Sequence, residues 1–125
     1  MNSVQVHAFA KRLMREVWES FDAEQLSTFY HENVVGHHRT QTLSYNDIVN
    51  RLAWDRKHSA DPVFDIKDII ADEDKFSSRF IYSATEIATG QKFEVEVIYF
   101  YHLQEGKITE FWLLASVDFD YKQKA

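Results

Sequence analysis

The sequence predicts an α+β domain: three helices packed on a strongly curved antiparallel or mixed sheet, together forming a cone. Three observations predict it. Apolar residues recur at helical spacing in the first half of the chain and at every second position after Pro62. Gly and Pro are scarce, three and one among 125 residues, which favours long elements. Ten Phe, six Tyr and three Trp then call for a wide interior. Helices segregated to one face of an antiparallel sheet is the layout that this order of elements allows. The length suits a single domain over residues 1–125.

The elements follow in order. Val6, Phe9, Ala10, Leu13, Met14, Val17 and Phe21 mark one face of a long first helix. Asp22 with Gln25 reads as a capping box for a short second helix carrying Leu26, Phe29 and Tyr30 inward. "NVVGHHR" is short and β-branched, and reads as a strand. Ser44 with Asp47 is a second capping box, and Tyr45, Ile48, Val49 and Leu52 mark a third helix. Arg56, Lys57 and His58 suit its negative C-terminal end, and Pro62 lies just beyond.

Beyond Pro62 a meander of strands is expected: "VFDIKDIIA", "KFSSRFIYSATEI", "KFEVEVIYFYHL" and "ITEFWLLASVDF". The turns between them are "DEDK", "ATGQ" and "QEGK". Phe93, Val95, Val97, Tyr99, Tyr101 and Leu103 share one side of the third of these strands. Ile98 and Phe100 make its other side apolar too. A second apolar face around Ile98, Phe100, Phe111 and Leu113 needs a cover, and another copy of the chain is the simple candidate. A homodimer through the sheet face is therefore expected.

Composition narrows the function. With no cysteine, disulfides, thiol chemistry and thiolate metal sites are excluded. A formal charge of -6 and no basic run argue against nucleic acid. The charged N-terminal segment is expected to be neither a signal peptide nor a membrane span, and a cytoplasmic protein is expected.

The long first helix, the "FDAEQLSTFYHENVV" passage and the final "EGKITEFWLLASVD" resemble the NTF2-like superfamily, within it the SnoaL-like polyketide cyclases. The resemblance covers nearly the whole chain and implies a cystatin-like α+β cone with a deep apolar cavity. The superfamily includes isomerases, cyclases, dehydratases, transport adaptors and dimerisation modules, so fold alone does not choose a function. Set against the ketosteroid isomerases, with one residue deleted, the carboxylate base of that relative falls on His37. Its helix tyrosine falls on Met14, which cannot donate, and its strand aspartate falls on Tyr99, which can. The base has changed type and one donor is lost, so the pattern is not that of a ketosteroid isomerase. The cyclases resemble a design with an acid/base aspartate near the end of the last strand, and Asp118 is its nearest counterpart here.

The candidate catalytic residues are therefore His37, Tyr99 and Asp118. His37 and His38 are strand neighbours and must point to opposite faces, and His37 is expected inward. An imidazole there suits proton transfer near neutrality, or it is a satisfied polar residue at the pocket wall. Tyr99 is either an oxyanion donor or core. Met14, Arg39, Trp54, Tyr101 and Trp112 are the candidate ligand-binding residues, the tryptophans as flat apolar walls or as core and dimer interface. Arg79 lies mid-strand and is expected to pair with a carboxylate such as Glu86 or Glu96. No histidine pair has the helical spacing of a zinc site, and no metal or cofactor is expected. The resulting expectation is a cofactor-free isomerase or cyclase moving a proton next to a carbonyl on a small hydrophobic ring compound. The alternative is a non-catalytic ligand-binding or dimerisation module of the same fold.

Overall fold

The computed structural model describes residues 1–123. It shows the expected α+β cone. Helix α1 spans Ser3–Leu13, α2 Leu26–Phe29 and α3 Tyr45–His58. The strands are β1 Tyr30–His38, β2 Gln41–Leu43, β3 Ser59–Ala71, β4 Lys75–Glu86, β5 Lys92–Gln104 and β6 Lys107–Ala115. They form one sheet in the order β2-β1-β6-β5-β4-β3. Among the described residues only the β1–β6 pair is parallel, so the sheet is mixed.

Local chemistry sets the helix starts. Asn2 and Gln5 close a capping box on α1, and Ser44 and Asp47 close the expected one on α3. Asp22 caps differently from expectation. Its carboxylate accepts from Glu24 N, and the chain makes a 3₁₀ turn over Ala23–Gln25 before α2. The first helix also changes winding, because Met14–Trp18 is a π-helical turn. Met14, Val17 and Trp18 within it are all buried.

The long strands wrap this helix. Phe76 and Phe80 of β4 and Val97, Tyr99, Tyr101 and Leu103 of β5 are buried on the concave face, as the alternation predicts. β3 begins immediately after α3, so Pro62 lies inside a strand. It is tolerated because β3 is an edge strand and its pairing with β4 shifts register between Ala60 and Val63. On the convex face Arg79 bonds Glu96 at 3.0 Å, as expected, and also Asp68 at 2.8 Å.

The phase of the last strand differs from expectation. Phe111 and Leu113 are buried inside the cone, whereas Trp112 and Leu114 lie on the convex face with Ile98 and Phe100. The antiparallel pairs Tyr101–Phe111 and Phe100–Trp112 impose this, since paired residues share a face. After Ala115 the chain leaves the sheet. Residues 116–123 cross the rim of the cone, and Tyr121 returns to the core at 2% exposure.

Candidate active site

The interior of the cone narrows to a cavity of about 70 Å³. Met14 and Trp18 wall it on the helix side, and Phe80, Val97, Tyr99 and Leu113 on the sheet side. A wider cleft of about 610 Å³ opens beyond it, between Trp54 and His58 of α3 and Phe93 and Val95 of β5. Arg51, Asp55, Tyr82, Val97 and Phe119 line both spaces and so form the neck between them.

Asp55 is the polar centre of that neck. The buried stripe of α3 is Ile48, Leu52 and Asp55, so helical geometry carries the carboxylate inward with the aliphatic side chains. Arg51, one turn earlier, grips it with Nη2 at 3.1 Å from Oδ1, while Nε donates to Oδ2 at 3.3 Å. Both side chains are withdrawn from solvent, at 17% and 9% exposure. Burial pushes the Asp55 carboxyl above its ordinary range, while the charge and hydrogen bond of Arg51 and the nearby His58 only partly pull it back. A carboxyl group tuned upward inside an apolar neck is a stronger proton acceptor than an ordinary aspartate.

Phenols and an indole supply donors. Burial lifts the Tyr99 hydroxyl far above its ordinary pKa, and lifts that of Tyr82 to about 12 with the Asp55 charge adding to it. Both therefore stay protonated at neutral pH. The buried Trp18 Nε1, Tyr82 hydroxyl and Tyr121 hydroxyl make no hydrogen bond of good geometry among the described residues, and all three residues line the interior cavity.

The residues expected from the sequence are only partly brought together here. Met14 and Tyr99 wall the cavity, and Trp54 stands at the mouth, stacked on His58 at 3.7 Å. Tyr101 lies behind Tyr99, fully buried between it and Phe76, and does not reach the cavity.

His37 faces the other way. After Tyr30, the buried positions of β1 are Val34, Gly36 and His38, so His37 falls on the convex face. There it stacks on Trp112 at 5.1 Å, and its Nε2 lies 2.7 Å from Glu110 Oε2. The expectation of an inward His37 came from a comparison with one residue deleted, and a one-residue slip in a strand reverses every side chain. Trp112 is thereby also outside the cone, part of an outer aromatic patch with Phe100 and His102. Asp118 is 87% exposed and pairs with an equally outlying Arg39 at 3.3 Å, so neither lines the interior cavity.

His38 is the inward imidazole, 3% exposed, with its ring 4.4 Å from that of Phe119. Burial lowers its pKa, the charges of Arg39 and Arg51 lower it further, and Asp120 and Asp118 oppose them. Among the described residues no group of three or more His, Cys, Asp or Glu side chains could hold a metal ion.

The sequence reading missed Asp55 and Arg51. The signal was present: a carboxylate three residues after Leu52 and seven after Ile48 stands on the apolar stripe, with an arginine at i−4.

Comparisons with known proteins agree with this architecture. The family model for SnoaL-like polyketide cyclase matches residues 8–117. TsrD from Streptomyces laurentii superposes with a TM-score of 0.82 at 14% identity, covering 93% of this chain and 91% of that one. A SnoaL-like polyketide cyclase from Agrobacterium tumefaciens superposes at 0.71 with 18% identity, covering 93% of each chain. A protein of ketosteroid isomerase-like fold from Catenulispora acidiphila, solved with trimethylamine, gives 0.71 at 13% identity over 85% of this chain and 83% of its own. At these identities the structures share the fold. No curated protein matches the chain.

Proposed function

We propose that this chain, which belongs to the SnoaL-like polyketide cyclase family, binds a small hydrophobic ring compound in its cone and moves a proton next to that compound's carbonyl group. One observation carries this reading: Arg51 and Asp55 form a buried ion pair at the neck of an otherwise apolar cavity. A carboxyl group lifted by burial is a suitable base for a carbon acid. Tyr99, protonated and on the facing wall, would donate to the carbonyl oxygen as negative charge develops there. Met14 and Trp54 would contact the ring. The proton taken from carbon rests on Asp55 and returns to the substrate, so no cofactor is required.

The roles first expected of His37, Arg39, Trp112 and Asp118 do not fit this scheme, because all four lie away from the interior cavity. The convex patch of Ile98, Phe100, Trp112 and Leu114 supports instead a homodimer through the sheet face. Among the described residues no helix is long and apolar enough to cross a membrane. The lack of cysteine suits the cytoplasm.

A second reading, a ligand-binding module without catalysis, is favoured by the small size of the interior cavity and its aromatic lining. Two measurements separate them. Native mass spectrometry of freshly purified protein is expected to show a copurified small molecule. Proton exchange beside the carbonyl of 2-tetralone in deuterated buffer, followed by NMR, is expected to accelerate with protein. Asp55→Asn should lower that rate by roughly 10²–10⁴-fold. A bound molecule without accelerated exchange selects the module.

A further inference from the structure

Phe119 has an unusual position. It lines the interior cavity, the mouth, and a third depression on the rim that is bounded by His38, Arg39, Thr40, Gln41, Asp118 and Asp120. Its ring is thus the wall between His38 and the cone. The interior cavity, at about 70 Å³, is smaller than the roughly 150 Å³ of a cavity that takes up benzene. Some side chain must therefore move for a ring compound to enter deeply. Among the described residues, side-chain contacts rather than strand pairing hold the segment carrying Phe119. Ser116 N makes the last main-chain bond to the sheet, to Glu96 O at 2.9 Å. Beyond it Arg51 Nη1 donates to Asp120 O at 3.0 Å, and the guanidinium lies 5.1 Å from the Phe119 ring. The Arg39–Asp118 pair is exposed and contributes little. Tyr121, buried, anchors the far end.

We infer that Phe119 is a partition that swings aside when a ring-shaped ligand binds, and that His38 behind it then joins the site as a second proton acceptor. This rests on the ligand-binding reading of the cone. The charged and titratable groups facing His38 are Arg39, Arg51, Asp118 and Asp120, with the Tyr121 ring 6.4 Å away. Burial, with the charges of Arg39 and Arg51, favours the neutral imidazole, which can accept a proton. A proton leaving the substrate carbon would bind a ring nitrogen, its electron pair passing to the enolate, and would be returned on reprotonation.

The test is carbethoxylation of the intact protein by diethyl pyrocarbonate, with modification assigned to each histidine by fragment mass spectrometry. His38 is expected to react slowly in the wild type relative to exposed His31. Phe119→Ala should speed its modification about tenfold by exposing the ring, and Phe119→Leu, which keeps the bulk, should not. Saturating anilinonaphthalene sulfonate, with binding read by fluorescence, should protect His38 in Phe119→Ala and leave His31 and His37 unchanged. Equal rates for His38 and His31 in the wild type, or no acceleration in Phe119→Ala, would overturn the partition. Dye binding without protection would overturn the role of His38 alone. Absence of dye binding in both proteins would count against the underlying reading of the cone.

Discussion

The ring of Phe111 stands directly over the α-carbon of Gly36. A β-carbon at position 36 would lie 2.6 Å from both Cε atoms of that ring. The two residues are register partners across the parallel β1–β6 pair, and their contact fixes which side of β1 faces the core. His37 and His38 take their opposite environments from it.

Gly36→Ala should therefore destabilise the fold by about 1–3 kcal/mol through overpacking. Urea unfolding would read the loss as a lower midpoint. Phe111→Leu placed in the same chain should recover part of it, because the obstructing ring edge is gone. An unchanged midpoint for Gly36→Ala would remove the steric account of strand parity.

Arg51→Met should destabilise the protein by about 3 kcal/mol at neutral pH, since it leaves a buried carboxylate without its partner. Adding Asp55→Asn should restore most of that loss. The pH dependence has a definite sign. A raised carboxyl pKa means that the native state holds its proton to higher pH than the unfolded chain does. Asp55 thus favours folding below the ordinary aspartate value of about 4, and this contribution fades as pH rises through the native value. Asp55→Asn should flatten the thermal stability profile in that window.

His38 acts in the opposite direction. Its pKa is lowered in the native state, chiefly by burial. Its contribution is full above the ordinary imidazole value of about 6.5, and is lost as pH falls through the lower native value. His38→Gln should remove this acid-side loss when melting temperatures are compared between about pH 7 and pH 5.

Leu114 is 69% exposed beside Phe100 at 40% and Ile98 at 43%. If a second copy covers this patch, Leu114→Glu should convert a dimer into a monomer in sedimentation velocity, with the melting profile of the isolated fold otherwise retained. A wild-type chain that sediments as a monomer at micromolar concentration would end the proposal.

The fold was legible because periodicity survives in one sequence. The apolar stripe from Val6 to Val17 and the alternating face of β5 announced themselves, and the Ser44–Asp47 box marked the start of α3, whereas Phe21, expected on the first helix, lies in the turn beyond it at φ 49°. Side choice within a strand was less legible. "VVGHHR" has apolar or small residues on both alternations, so nothing local says whether His37 or His38 is inside. The answer lies in a contact with Phe111, remote in sequence. The π turn at Met14–Trp18 was invisible because Met14, Val17 and Trp18 keep the i, i+3, i+4 spacing of a regular helix. Asp55 was legible but overlooked, since a charged residue on an apolar stripe was not weighed as a site.

The parallel pairing of β1 with β6 joins residues 36 and 111 inside the sheet. During synthesis, then, β6 must leave the ribosome before β1 can find its parallel partner. Until that moment α1 has only a partial wall to lie against, and the long β3–β4–β5 hairpins must persist with an unpaired edge. Such long-range closure slows folding, and leaves the nascent chain dependent on whatever shields that edge until the final strand arrives.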